Sequence, residues 1–389
     1  MVGRTDEQAR LKALIDAARA GRSGALLLHG PPGIGKTELL RFAESSAEGF
    51  VLLRARGMES ESGIPFAGLA ELVGPLLAFV DEIPGVQADA LRAALALGPA
   101  TAADRFTVPA ALLSLLARAA DDGPVLAVVD DAHWLDEPSL EAFLFAGRRL
   151  AAEGVAMLAA TRGRGPEVPW LERLAVTPLA DEDARALLDA SIAPGVADRL
   201  VATAAGNPLA LLEIPALLTA PQLAGREPLA DPLPPGTGVE RAFAVALEAL
   251  PAETRAALLV AAAAGTRRLT PAVDVEALGP AETAGIIMVG RGELEFRHPL
   301  MRSTVYHAAG PVERRAAHAA LAGAVEGAER AWHLAASAVA PDEAVAAALE
   351  AAALAAPPRC RCGRGCGCGR RSRDRRRARS ALAPPSWRG

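Results

Sequence analysis

The chain has 389 residues, of which 51% are hydrophobic, with a mean hydropathy of +0.22 and a formal net charge of −5, as expected of a globular protein long enough for two or three domains. No apolar stretch reaches the ~20 residues a bilayer requires, and MVGRTDEQAR lacks the apolar core of a secretory signal, so the expectation is a cytoplasmic protein without membrane contact. Residues 357–389 hold 11 Arg and one acid, which leaves residues 1–356 with 30 basic and 45 acidic side chains and no basic groove to advertise nucleic-acid binding.

Taken in chain order, Thr5 is expected to cap a helix over 6–20, with Gln8 completing a capping box and Gly21 ending it. Residues 24–37, GALLLHGPPGIGKT, then run from a short strand at 25–29 into the pattern G-x-x-x-x-G-K-[ST] of a P-loop. Gly30, Gly33 and Gly35 let the backbone turn with no Cβ in the way, so that N–H groups around Ile34 point inward at phosphate oxygens. Lys36 offers a cation to the β and γ phosphates and the Thr37 hydroxyl a ligand to Mg2+. The loop opens a helix over 36–47, whose N-terminal dipole favours the same anion. A second strand is expected at 50–54, then a helical insertion over 57–121 with helices at 67–80, 88–97 and 107–120.

The next landmark is Val125-Leu126-Ala127-Val128-Val129-Asp130-Asp131. Five apolar, partly β-branched residues read as a strand buried on both faces, and two carboxylates at its C-terminal end lie where open α/β sheets bind ligands. Asp130 is placed to hold Mg2+ through water, and Asp131 to orient or deprotonate an attacking water. Pro138 suits the start of a helix; His133 and Asp136 read as substrate contacts or, preferably, as residues that cap and pack the turn. A strand at 155–161 ends in Thr161-Arg162, where the Arg either senses the γ-phosphate or simply leaves the core; the sequence leaves both open.

From Asp181 the periodicity is helical, with helices at 181–190, 195–205 and 207–218, and Pro208 suits the first position of the last of these. A Pro/Gly-rich stretch at 221–238 marks the clearest boundary. Helices at 239–249, 252–264 and 281–288 follow, then two short strands within 286–296 around Gly290-Arg291-Gly292, and a helix from Pro299 through Tyr306. Helices with a terminal β-hairpin give the outline of a winged helix. Residues 311–325 and 329–355 are amphipathic, Ala-rich helices like the beginning of a helical array.

Val2-Gly3-Arg4 with Glu7, GPPGIGKT, VLAVVDDAHWLD, the strand ending in Thr161-Arg162, Gly206-Asn207-Pro208-Leu209 and FRHPL at 296–300, in that order, resemble one family. It is the STAND class of AAA-like signalling ATPases, and within it the large LuxR-type transcriptional regulators of actinobacteria. The resemblance covers residues 1 to about 356. It implies an α/β fold: a P-loop NTPase parallel sheet over 1–180, a helical lid over 181–220, a linker over 221–238, a winged-helix-like domain over 239–310 and the start of a helical repeat over 311–356. It further implies ATP or ADP with Mg2+ as cofactors. Gly3 and Arg4 would lie against the adenine, Pro208 would pack on it from the lid, Arg162 would act as sensor, and His298 would reach the β-phosphate of ADP.

The function expected from residues and resemblance together is an ATP-binding signal-transduction switch, the nucleotide-binding part of a transcriptional regulator with slow hydrolysis through Asp131 and Arg162. Its bistable element would be the hinge around 219–238, and a signal would drive it to a homo-oligomer. The alternatives are an oligomeric AAA-type loader or remodeller with sustained turnover, or the ATPase module that accompanies an adenylyl cyclase. A passive scaffold is disfavoured because every P-loop and Mg2+ residue is intact. In the tail at 357–389, Cys360, Cys362, Cys366 and Cys368 follow C-x-C-x3-C-x-C, which lacks the pairs of a structural zinc site. Shifting the GCN codons of an Ala-rich frame gives Arg, Pro, Gly and Cys, the composition that appears there abruptly. The expectation is a disordered, frame-shifted tail and a chain without the regulator's helix-turn-helix, hence without specific DNA binding.

Overall fold

The computed structural model describes residues 1–99, 106–163, 165 and 167–355, so the Arg/Cys/Gly tail lies outside the described residues. The chain divides into two units, Met1–Asp183 and Ala184–Gly389.

The first unit is built on strands whose alternate residues are apolar on both sides. In β3 (Val125–Asp130) and β4 (Val155–Arg162) every central position is buried, in β1 (Gly24–Gly30) Leu26–Leu28 are, and in β2 (Val51–Arg56) Leu53 and Ala55 are while Arg54 is exposed. Such strands need cover on two faces, which is the condition for a parallel sheet. With β5 (Glu172–Ala175) they form one five-stranded sheet in the order β2-β3-β4-β1-β5, every pair parallel. One face carries Leu26, Leu28, Leu126, Val128, Ala156 and Leu158 against Leu11 and Ile15 of α1 (Thr5–Arg19) and Leu39 and Leu40 of α2 (Lys36–Ser46). The other carries Leu27, Leu53, Val125, Ala127 and Met157 against α3 (Ala67–Val73), α4 (Gly85–Ala94), α5 (Thr107–Asp122) and α6 (Glu137–Arg149). The β1–β4 register aligns Gly30 with Arg162, and the β2–β3 register aligns Arg56 with Asp130, so the polar strand tips share one edge of the sheet.

Several expectations need correction. Thr5 is the first helical residue of α1 and caps nothing; Arg4 holds the cap position without a side-chain cap bond, its guanidinium being turned instead to Glu7 Oε1 at 2.9 Å. A capping box does form at Thr219 and Gln222, around the start of α10 below, where the stretch read as a boundary at 221–238 begins. The helix expected over 67–80 is α-helical only to Val73, where Gly74 and Pro75 turn it into a 3-10 segment through Glu82. β5 was not expected, because ERLA shows neither alternation nor an apolar run.

The second unit is mainly helical. α7 (Asp181–Ala186) runs across the division between the units. It is followed by α8 (Pro194–Ala204), α9 (Pro208–Ala216), α10 (Ala220–Leu223), α11 (Thr237–Glu248), α12 (Ala252–Ala264) and α13 (Gly279–Thr283). An antiparallel hairpin of β6 (Ile287–Gly290) and β7 (Glu293–Phe296) comes next. Its turn residues Arg291 and Gly292 have φ of 53° and 77°, the two positive values of a type I′ turn. α14 (Pro299–Ala308), α15 (Pro311–Ala324), α16 (Gly327–Ser337) and α17 (Glu343–Ala355) complete it. Its core gathers Leu258, Leu278, Ile287 and Leu321. The chain leading into α11 is tied at Asp231 and again at the helix's first turn. Asp231 accepts from Arg199 at 2.9 Å and from Arg302 at 3.0 Å, and Glu213 of α9 accepts from Gly238 N at 3.0 Å.

Asp136 joins α6 to the rest of its face. Its side chain is 2% exposed and accepts from three backbone N–H groups, Ser139 at 2.9 Å, Phe66 at 2.8 Å and Gly68 at 3.1 Å. Asp136→Ala therefore removes a cap and strands two half-buried donors on the α3 side, a loss of about 2 kcal/mol. A urea unfolding midpoint unchanged from wild type would show that these bonds hold nothing in place.

Candidate nucleotide site

The site begins with a left-handed turn. Gly33 and Gly35 have φ of 73° and 100°, and Gly35 caps α2, so the loop between β1 and α2 turns through conformations that glycine adopts most readily. Gly30 is required for a different reason: a Cβ there would stand 2.6 Å from the Val176 carbonyl oxygen beyond β5. The Ile34 side chain is 1% exposed and locks the loop onto the α1/α2 face of the sheet. Lys36 follows it and is 8% exposed, its ammonium donating to the carbonyls of Gly30 at 2.8 Å and Pro31 at 2.9 Å. Burial pulls the Lys36 pKa down from 10.5 to about 8; Asp131 and Asp130 oppose that shift and Arg162 adds to it.

Across the sheet edge, Thr37 Oγ1 donates to Asp130 Oδ2 at 2.8 Å, while Asp130 Oδ1 accepts from the Asp131 N–H at 2.9 Å. Asp131 sits in the left-handed region at φ 48°, ψ 43°, a conformation that Asp tolerates better than most residues and that strained functional turns use. Its carboxylate faces three groups at longer range: Arg56 at 3.6 Å, His133 Nδ1 at 3.9 Å and Arg162 Nε at 3.9 Å. None of these is close enough to be a hydrogen bond. Gly57 allows the chain after β2 to pass this turn, since a Cβ there would meet the Asp131 carbonyl at 2.3 Å.

Arg4 is 3% exposed and fully engaged by protein. Besides Glu7, its guanidinium donates to the carbonyls of Thr177 at 2.7 Å and Ile34 at 2.9 Å, so it pins the start of α1 to the phosphate loop. Gly3, at φ 62°, lies against Asp183; a Cβ would stand 2.6 Å from its Oδ2. Pro208 and His298 belong to the second unit, and each opens a helix there. Pro208 follows the cap residue Asn207, whose side chain accepts from Ala210 N at 3.3 Å. His298 caps α14, its Nδ1 accepting from Leu300 N at 3.1 Å, and burial lowers its pKa.

The structure thus brings Gly30, Gly33, Ile34, Gly35, Lys36, Thr37, Asp130, Asp131 and Arg162 to one edge of one sheet, with Arg4 behind the loop. Two residues to which the sequence reading gave no role in the site belong with them. Arg56 is opposite Asp130 in register, and the exposed arginines alternating at the end of VLLRAR were the available signal. Glu7 had been noted only as part of a motif, and its role as partner to Arg4 depends on burial. The donor set fits Mg2+, which takes hard oxygen ligands and needs only one or two carboxylates when phosphates supply the rest. Thr37 and Asp130 offer a hydroxyl and a carboxylate in contact. Among the described residues no three His, Cys, Asp or Glu side chains converge as a metal cluster of their own.

Residues 1–159 match the family described as AAA ATPase domain. The chain is 26% identical over 381 residues to an uncharacterized protein of Rhizobium meliloti (strain 1021), a match that takes in 84% of this chain and 37% of that one. The chain therefore spans well under half the length of that curated relative. Similar solved structures include a Walker-type ATPase of Pyrococcus abyssi, with 14% identity, a TM-score of 0.45 and coverage of 78% of this chain and 96% of that one. Another is a Signal Transduction ATPase with Numerous Domains protein with a tetratricopeptide repeat sensor from Pyrococcus horikoshii, with 15% identity, a TM-score of 0.37 and coverage of 80% and 44%. The match to the AAA ATPase domain model falls within the first unit, on the P-loop and four of the five strands of its parallel sheet, and supports a P-loop ATPase. Among the described residues no helix is long and apolar enough to cross a membrane.

The depressed Lys36 pKa gives a stability signature independent of any ligand. Below about 8 the lysine is protonated in the folded and the unfolded chain, and the burial penalty is constant. Between about 8 and 10.5 the unfolded chain holds the proton that the folded chain has lost, so stability rises with pH across that window. Unfolding midpoints of wild type should climb there relative to Lys36→Met; parallel curves would mean that Lys36 titrates normally.

Proposed function

We propose that the chain is an ATP-binding switch that hydrolyses ATP slowly, and that it is the nucleotide-binding part of a LuxR-type transcriptional regulator. The observation that carries the nucleotide reading is the 2.8 Å contact between Thr37 Oγ1 and Asp130 Oδ2 at the mouth of a glycine-turned loop. The loop N–H groups and Lys36 are suited to hold the phosphates of ATP or ADP, and Thr37 with Asp130 to hold Mg2+. Bound Mg·ATP supplies a γ-phosphoryl group open to attack by water. Asp131 orients that water and accepts its proton. Arg162, at the tip of the neighbouring strand and 3.9 Å from Asp131, reports phosphate charge to the same turn. Arg4 acts through the backbone, because its guanidinium is committed to the Ile34 and Thr177 carbonyls and holds the loop in shape. Gly3, Pro208 and His298 keep the roles that the family resemblance assigns: Gly3 and Pro208 toward the adenine, His298 toward the β-phosphate of ADP. The regulator reading is supported by the order of the sequence motifs from Val2-Gly3-Arg4 to FRHPL, and its signal and self-association follow from the same resemblance.

Two variants test this reading. Lys36→Ala should weaken ATP binding on the order of a hundredfold, about 3 kcal/mol, by removing charge-assisted bonds to phosphate. Equal affinities in a calorimetric titration would remove the nucleotide site. Asp131→Asn keeps both the shape and the tolerance for a left-handed backbone; it should bind ATP as wild type does and lose roughly a hundredfold in turnover. Wild-type turnover in that variant would take the base role from Asp131. Fast steady-state turnover in the unmodified chain, without any signal, would favour a motor-type ATPase over a switch.

A further inference from the structure

We infer that the first unit carries a second ligand site, a cavity beneath the acidic turn that takes a neutral, mainly apolar small molecule with one hydrogen-bonding end. The cavity lies where α6 stands off the sheet. Leu27, Met157 and Ala159 line it from the strands, Phe143 and Leu144 from the helix, and its volume is about 370 Å3. That is room for on the order of a dozen water-sized groups, within the range of small-molecule sites. Water would find few polar partners among these walls, so the occupant's body is apolar.

The polar end lies at His133 and Arg162, whose nitrogens both approach the Asp131 carboxylate at 3.9 Å; Glu137 also lines the cavity. Both ring nitrogens of His133 are shielded from solvent and have no hydrogen-bond partner among the described residues. A buried polar atom left so costs about 1 to 3 kcal/mol, and a ligand that bonds to the ring recovers it. Burial keeps His133 below its ordinary pKa, which favours the neutral ring with one donor and one acceptor. The lining carries both signs, Arg162 and Glu137, so a charged ligand of either sign finds a residue of its own sign in the wall. A neutral alcohol, ketone or amide meets no such conflict.

His133 Nδ1 and Arg162 Nε each stand 3.9 Å from the Asp131 carboxylate, so an occupant that moves either side chain changes what surrounds Asp131. Occupancy therefore alters ATP hydrolysis while leaving the phosphate loop untouched. This coupling, unlike the binding itself, rests on the nucleotide reading above.

The test uses the full chain labelled at its methionine methyls, with toluene and benzyl alcohol as probes and no nucleotide present. Of the five methionines, Met157 lines the cavity. Its resonance should shift saturably with both probes while Met288 and Met301 stay put. Ala159→Leu and Leu144→Phe fill the cavity from opposite walls, and each should weaken both probes roughly tenfold or more. His133→Phe keeps the volume and should weaken benzyl alcohol severalfold while sparing toluene. A Met157 methyl that stays unmoved up to the solubility of either probe, or that responds in both filled variants as in wild type, overturns the site. Equal behaviour of the two probes in wild type and His133→Phe overturns its polar end. Benzyl alcohol should then change ATP turnover at least about twofold at constant ATP affinity. Turnover that does not respond while Met157 does removes the coupling alone, and Lys36→Ala decides the nucleotide reading separately.

Discussion

The site depends on a hydrogen bond between two residues 93 positions apart, Thr37 and Asp130. Their strands are not neighbours: β4 separates β1 from β3, and α2 packs across β3 and β4 to bring its first turn to the acidic tip. This arrangement sets Lys36, Arg162 and the Asp130-Asp131 pair along one edge, from three separate places in the sequence. It also makes strand register part of the chemistry. A one-residue slip of β3 would turn the Asp130 side chain to the opposite face and break its contact with Thr37. Five buried apolar residues ahead of Asp130, alternating between two cores, are what prevent that slip.

Electrostatics around the edge are balanced between burial and pairing. Lys36 is held by two carbonyls of its own loop in a site whose burial disfavours its charge. Asp131 has two arginines and an imidazole 3.6 to 3.9 Å from its carboxylate, none within hydrogen-bonding distance. The acidic turn is therefore positioned mainly by backbone: the left-handed Asp131, the Asp130 bond to its N–H, and the close passage of Gly57. Arg4 does comparable work on the other side of the loop, where burial and three partners make it a brace.

The parallel sheet was legible because its strands are short apolar runs ending in chemically distinctive residues, GPPGIGKT after β1 and the aspartate pair after β3. The preference for Asp136 as a cap over a substrate contact agrees with its three backbone bonds. What could not be read were features decided by tertiary packing. The four residues of β5 carry no period that marks them as a strand, and they pair with β1 only because its edge is open on that side. Thr5 has the residue type of a cap, yet the Arg4 guanidinium takes over the organisation of that helix start through Glu7 and Ile34. Arg56 needed the β2–β3 register before it could be placed beside Asp131. At Pro208 and Pro299 the sequence pattern named helix starts, and the structure adds the cap bonds made by Asn207 and by His298.

The central claim, that Thr37 and Asp130 together form the metal end of an ATP site, is tested most directly by the Mg2+ dependence of ATP affinity in wild type and Thr37→Ala. The account predicts that Mg2+ tightens ATP binding in wild type and that most of this gain disappears in Thr37→Ala, while affinity measured in EDTA stays the same in both. An equal Mg2+ gain in the two proteins would contradict it.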